Sequence, residues 1–112
     1  MSRLSTHVEV GSILRRAAAA GDFATVLRKG DEERGALVLI VTSRGQHSAI
    51  LERVASLDGD YLWQRSGPPE SASSIEIADF LAKRARFDTD FWAIELDIAD
   101  PERFIAETIV SG

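Results

Sequence analysis

Three carboxylates and two arginines close to position 88 are the residues of this sequence best suited to chemistry. Asp88, Asp90 and Glu95 could together bind a hard cation such as Mg²⁺, since such ions prefer carboxylate oxygens. Arg84 and Arg86, just upstream, could hold the oxygens of a phosphate. One hypothesis from this pattern is a small metal-dependent phosphoesterase or nuclease-like enzyme.

The same residues also have a structural interpretation, which we favour. Asp88 and Asp90 are typical of a turn between a helix and a strand, and the arginines suit the C-terminal end of a helix. Glu95 is then a solvated strand position. Metal sites require ligands that converge in space, and spacing along the chain does not show convergence.

A protein-binding surface is a further prediction for this segment. Mixed charge together with aromatic area can give a protein contact its specificity. We therefore expect an unidentified protein partner to contact Arg84, Arg86, Asp88, Asp90 and Trp92. No catalytic residue is predicted.

The sequence gives little support for a hydrolase triad or a phosphate-binding loop. His7 or His47 would have to serve any hydrolase triad, but no Gly-x-Ser-x-Gly segment surrounds a serine. We place His47 in a hairpin turn and expect both histidines to have surface roles. The acidic loop between Gly30 and Gly35 would repel phosphate, and we expect no cofactor.

Size and composition fit one domain over residues 1–112. The chain is 45% hydrophobic, enough to build one core, and the absence of cysteine fits a reducing compartment. Its start carries charged residues where a signal peptide would be apolar, and its longest apolar run, Ala36 to Val41, is far shorter than the roughly 20 residues of a membrane span. We expect a soluble cytoplasmic protein without membrane contact.

The charge distribution argues against nucleic-acid binding. The net charge is -5, and residues 87–112 carry seven acidic residues against Arg103 alone. Nucleic-acid binding is favoured by a basic face, because lysine and arginine release the counterions of the phosphates. The dense basic cluster formed by Lys83, Arg84 and Arg86 is surrounded by acidic residues.

Turn residues divide positions 22–66 into a series of antiparallel strands. Gly45 and the Asp58-Gly59 pair suit two-residue hairpin turns, and the prolines at 68 and 69 end the sheet. Strands are predicted over Phe23 to Lys29, Ala36 to Thr42, Ser48 to Ala55 and Tyr61 to Arg65.

Three helices and a fifth strand complete the prediction. The helices run from about Val8 to Ala20 with Gly21 as the C-cap, from Ser73 or Ser74 to about Arg86, and onward from Asp100-Pro101. Between the last two, Trp92, Ile94, Leu96 and Ile98 alternate with Ala93, Glu95 and Asp97, which indicates a half-buried strand. The fold class is α+β, with a mainly antiparallel sheet of about five strands (a four-strand meander plus a C-terminal strand) and three helices.

The strand from Ala36 to Thr42 is apolar on both faces. A strand of this kind lies centrally, and helices or a second subunit must cover both faces. Since no catalytic set is complete, we predict a non-enzymatic binding or assembly domain that forms a homodimer.

Several segments together resemble one family. They are Leu14 to Ala17, Gly21 to Asp31, Trp63-Gln64-Arg65 and Arg86 to Leu96. The chain is similar to a family of small uncharacterised proteins, found mainly in alphaproteobacteria and known only as a domain of unknown function. The resemblance covers nearly the whole chain and implies a bacterial cytoplasmic protein. It supplies no catalytic residues, because the family has no known activity.

Overall fold

A computed structural model describes residues 5–55, 61–69 and 72–111 of the chain. It contains three helices and five strands, which confirms the predicted α+β class. In chain order the elements are α1 (Thr6–Ala19), β1 (Phe23–Arg28), β2 (Leu37–Ser43), β3 (Gln46–Ala55), β4 (Tyr61–Ser66), α2 (Ser74–Phe87), β5 (Trp92–Asp97) and α3 (Pro101–Ser111).

Local capping residues set the helix ends. The Ser5 hydroxyl accepts the backbone N–H three residues on and starts α1, which ends before Gly21 with a φ of 79°. At α2, Ser73 and Glu76 form a reciprocal capping box. The Asp100 carboxylate accepts a backbone N–H at the start of α3. The predicted caps at Gly21, Ser73 and Asp100 are confirmed.

A two-residue turn joins β2 to β3. Arg44 and Gly45 both have positive φ, 53° and 79°, as a type I′ turn requires. The Asp97 carboxylate, at the end of β5, accepts both of their backbone N–H groups at 2.8 and 3.0 Å. The predicted Asp58-Gly59 turn lies outside the described residues.

The sheet order is β1-β5-β2-β3-β4, so β1 and β2 are not neighbours and the predicted four-strand meander is corrected. The C-terminal strand β5 lies between them, antiparallel to β1 and parallel to β2. Residues 29–36 connect β1 to β2 by passing the start of β5. There Asp31 N–H donates to the Asp90 carbonyl, and Trp92 N–H donates to the Ala36 carbonyl.

Burial explains why β5 is central. Its Trp92, Ile94 and Leu96 point inward as predicted, but Ala93, which we expected to face outward, is fully buried on the other side. A strand covered on both faces gains more apolar burial inside the sheet than at an edge.

Helices cover both faces of the sheet. Helices α1 and α3 pack over one face, against side chains that include Leu39 and Ile94. Helix α2 packs over the other face, against Val38, Ile40 and Ile50. The prediction that both faces of β2 are covered is therefore confirmed, and the cover is provided by the chain's own helices.

Candidate functional site

The C-terminal end of α2 carries Arg84 and Asp88, two of the residues singled out in the sequence. Arg84 forms a close ion pair with Glu52 on β3 and lies 3.6 Å from the Asp88 carboxylate. The Arg84 side chain is only 21% exposed. Its charge is thus matched by carboxylates from its own helix end and from the sheet.

A buried aromatic ring lies beside this ion pair. The guanidinium carbons of Arg28 and Arg84 lie 4.8 and 5.3 Å from the centroid of the Phe91 ring, close enough for cation–π attraction. Arg28 also donates a hydrogen bond of 2.9 Å to the Thr89 carbonyl. We call Arg28, Glu52, Arg84, Asp88 and Phe91 the Phe91 cluster.

Sequence reasoning missed three members of the Phe91 cluster. Arg28, Glu52 and Phe91 come from β1, β3 and the residue before β5, and only the non-local strand order brings them to one place. No short-range spacing signals such a convergence. The cluster joins α2 to β1, β3 and the residue before β5, and the charge of Arg84 in it is paired with Glu52 and Asp88.

The remaining predicted binding residues are distributed over different surfaces. Arg86 and Asp90 are exposed, and the Asp90 N–H donates to the Asp88 carboxylate at 2.9 Å, as in the expected turn. Trp92 is buried on the α1 side of the sheet, where its indole N–H donates to the Asp31 carbonyl at 2.8 Å. The sheet therefore separates Trp92 from Arg84. A binding role for these residues stays a prediction.

The proposed metal ligands do not form a recognisable centre. Within residues 5–55, 61–69 and 72–111, no three His, Asp or Glu side chains are grouped so that they could hold a metal ion. Asp88 and Asp90 lie in the turn after α2, whereas Glu95 lines a separate cleft of about 220 Å³ with Thr42 and His47. The structure adds no support to the metal hypothesis.

His47 is not in a turn. It is the second residue of β3, is only 4% exposed, and pairs with Thr42 across the hairpin. Neither of its ring nitrogens has a hydrogen-bond partner in the described part of the chain. The predicted surface role is wrong because the strand resumes immediately after the two-residue turn at Arg44-Gly45.

The outer strand β1 exposes apolar side chains. Phe23 is 73% exposed, Leu27 48% and Val26 38%. The buried core on the α2 side is built from residues of β2 and β3 and from residues 91 and 93, and β1 contributes no residue to it. We call the outer side of β1, with Phe23, Val26 and Leu27, the β1 edge. The sequence marked these residues only as members of a strand, because their exposure follows from the strand order.

A family model described as a protein of unknown function, DUF1491, matches residues 4–106. The chain belongs to the DUF1491 family. The resemblance noted in the sequence is thereby confirmed. No curated protein matches the chain.

Solved structures of other DUF1491 proteins are similar to this one. A crystal structure of a family member from Caulobacter crescentus CB15 at 1.87 Å is 31% identical, covers 91% of this chain and 94% of that chain, and has a TM-score of 0.76. An NMR structure of a DUF1491 protein from the same organism covers 93% and 94% at the same identity, with a TM-score of 0.77. A solution structure of a protein from A. tumefaciens is 26% identical, covers 88% of each chain and has a TM-score of 0.73.

The comparisons with DUF1491 proteins do not indicate an activity for this chain, since the family is described as a protein of unknown function. No described helix is long and apolar enough to cross a bilayer. Evidence for function must therefore come from this chain's own surfaces.

Proposed function

We propose that this DUF1491 protein is a non-enzymatic assembly domain that forms a homodimer through the β1 edge. The observation that carries the proposal is an outer strand that combines exposed apolar side chains with backbone groups that pair on one side only. Such an edge is a template for pairing with another strand. Folded proteins usually protect it with charges, prolines or a covering element.

Protection of the β1 edge is limited to its C-terminal end. Leu27 forms a bulge, where the register with β5 shifts between Val26 and Arg28, and Arg28 and Lys29 follow it. The stretch from Phe23 to Val26 has neither a charge nor a proline. Ile75 and Phe87 on α2 are also exposed, but they lie on a helix whose backbone is already hydrogen-bonded.

The side chains of β1 are self-complementary. Leu27 lines a cleft with α2 residues, and the alternation of strand side chains puts Phe23 and Thr25 on that side too. Ala24 and Val26 lie on the α1 side. In an antiparallel pair about a two-fold axis at Thr25, Ala24 faces Val26 of the second copy, and Phe23 lies against the side chain of the bulged Leu27. Apolar residues then meet on both faces, as an isologous contact requires.

This contact differs from the one that the sequence indicated. The homodimer was expected because β2 is apolar on both faces, but α2 already covers the second face. In the described part of the sheet, the large exposed apolar side chains lie on the two outer strands, at Phe23, Val26 and Leu27 of β1 and at Leu62 of β4, and β1 has the larger group. We also propose a bacterial cytoplasmic location, which the absence of cysteine favours.

Light scattering after size exclusion tests the proposal through matched variants. The double variant Phe23→Lys with Leu27→Lys should elute as a monomer, since it places like charges on both sides of the contact. The control variant Ile75→Lys with Phe87→Lys adds the same charge on α2 and should keep the wild-type mass. Equal masses for both variants would contradict a contact at the β1 edge.

A further inference from the structure

A cavity of about 380 Å³ opens between α1 and α3 on the face of the sheet opposite the Phe91 cluster. Its floor includes Leu39 and Leu96 from the central strands, and Trp63 reaches it from β4. This volume is at the lower end of the range for small-molecule sites, roughly 300–1,000 Å³. We call the cavity the α1–α3 groove.

The interior of the α1–α3 groove is apolar. Ala17 on α1 and Phe104 on α3 form facing walls, and their side chains offer no hydrogen-bonding group. A ligand would therefore place an apolar body inside, and the area removed from water would favour its binding.

Two opposite charges belong to the same groove. Arg16 and Asp22 both line it, yet they form no ion pair with each other or with any residue in the described ranges. Asp22 lies three residues beyond the end of α1, and the Arg16, Ala17 and Ala18 carbonyls of the last turn accept the backbone N–H groups of residues 20–22. The site thus offers the Arg16 guanidinium for a carboxylate and the Asp22 carboxylate for an ammonium group.

We propose that the α1–α3 groove binds a free α-amino acid with a large apolar side chain. The ligand's carboxylate pairs with Arg16, its ammonium group pairs with Asp22, and its side chain enters the groove between Ala17 and Phe104. A ligand with one charge alone would leave either Arg16 or Asp22 unpaired. The groove lies on the opposite face of the sheet from Phe23 and Leu27, but its Asp22 directly precedes Phe23, so a test that separates the two proposals must leave Phe23 unchanged.

Three probes of similar shape test the contributions of the ligand's ammonium and carboxylate groups separately. L-phenylalanine carries both, 2-phenylethylammonium carries only the positive charge, and 3-phenylpropanoate carries only the negative one. We expect L-phenylalanine to bind roughly tenfold or more tightly than either analogue, since each lost charge-assisted hydrogen bond weakens binding by about that factor. Tryptophan fluorescence gives the readout, which should disappear in Trp63→Phe and persist in Trp92→Phe.

Matched variants locate the site. Arg16→Gln should bring the affinity for L-phenylalanine down to that for 2-phenylethylammonium, and Asp22→Asn down to that for 3-phenylpropanoate. Ala17→Leu should fill the groove and abolish binding. The controls Arg15→Gln and Ala18→Leu change exposed neighbours on α1 that do not line the groove, and they should bind as the wild type does.

Several results would overturn the proposal. These are equal affinity for all three probes, unchanged affinity in both Arg16→Gln and Asp22→Asn, or a dissociation constant weaker than about 10 mM for L-phenylalanine. Repeating the titration with the single variant Leu27→Lys, which leaves the residue next to Asp22 unchanged, separates the two proposals, because its oligomeric state tests the β1 edge and its affinity tests the groove. Amide NMR spectra confirm that each variant is folded.

Discussion

Arg84 on α2 forms an ion pair with Glu52 on β3, and both side chains are mostly buried, at 21% and 14% exposure. The pair connects the single helix on this face of the sheet to a strand beneath it. The sequence pattern predicts Arg84, but not Glu52, as part of a binding site. In the folded chain, the charge of Arg84 is already used within the protein.

Removing the carboxylate of Glu52 should destabilise the fold. In Glu52→Gln, Arg84 loses its closest counter-charge while remaining mostly buried, and Asp88 at 3.6 Å compensates only in part. We expect a loss of about 1–3 kcal/mol in the free energy of unfolding, measured with urea. The control Lys83→Gln breaks an exposed pair with Asp79 and should cost less than about 0.5 kcal/mol. Equal losses would show that the Arg84–Glu52 pair has no special structural role.

Gly35 should tolerate no side chain. A Cβ atom there would overlap the Asp90 carbonyl oxygen and lie 2.8 Å from both the Asp31 carbonyl oxygen and the Trp92 ring. Gly35→Ala should therefore push the connection between β1 and β2 away from β5, at a cost of about 3 kcal/mol or more.

Gly11→Ala is the matched control for this prediction. Its Cβ would meet only the flexible Arg15 side chain, at 3.2 Å. It should stabilise α1 by about 0.5–1 kcal/mol, because alanine favours the helix. Thermal melts of both variants provide the measurement, and a Gly35→Ala protein as stable as the wild type would contradict the described packing of this loop.

His47→Leu should raise the melting temperature or leave it unchanged. The two buried ring nitrogens of His47 lack partners among the described residues, so their desolvation is uncompensated. An apolar side chain of similar size removes that cost. A loss of more than about 1 kcal/mol on this substitution would show that the imidazole has a bonding partner in solution.

Divalent metals should not stabilise the protein. A cation bound only by the folded state would raise the melting temperature in proportion to its occupancy. Because no group of three ligands converges within the described ranges, we expect equal melting temperatures with and without Mg²⁺ or Mn²⁺. Stabilisation that disappears in Asp88→Asn with Asp90→Asn would instead revive the metal-dependent enzyme hypothesis.

Local signals in the sequence predicted much of the fold. Helix caps at Gly21, Ser73 and Asp100 and the turn at Gly45 depend on residues within a few positions of each other, and all four appear as expected. The family was also recognisable from the sequence, as the match over residues 4–106 shows.

Features that depend on distant residues were harder to predict. Strand β5 lies between β1 and β2 and is buried on both faces. Glu95 and Asp97 made its sequence look like that of a strand buried on one face only. The same insertion creates the Phe91 cluster and places Trp92 on the face opposite Arg84. Phe23 and Leu27 are exposed on β1, which is an outer strand of the sheet.

We propose that two copies of the chain join through β1 in an antiparallel pair about Thr25. The most direct test is an isotope-filtered NOE measurement on a sample that mixes labelled and unlabelled chains. We expect cross-peaks between the Phe23 ring of one copy and the Leu27 methyl groups of the other. A dimer without these cross-peaks, or a protein that stays a single 12.2 kDa chain at NMR concentrations, would contradict it.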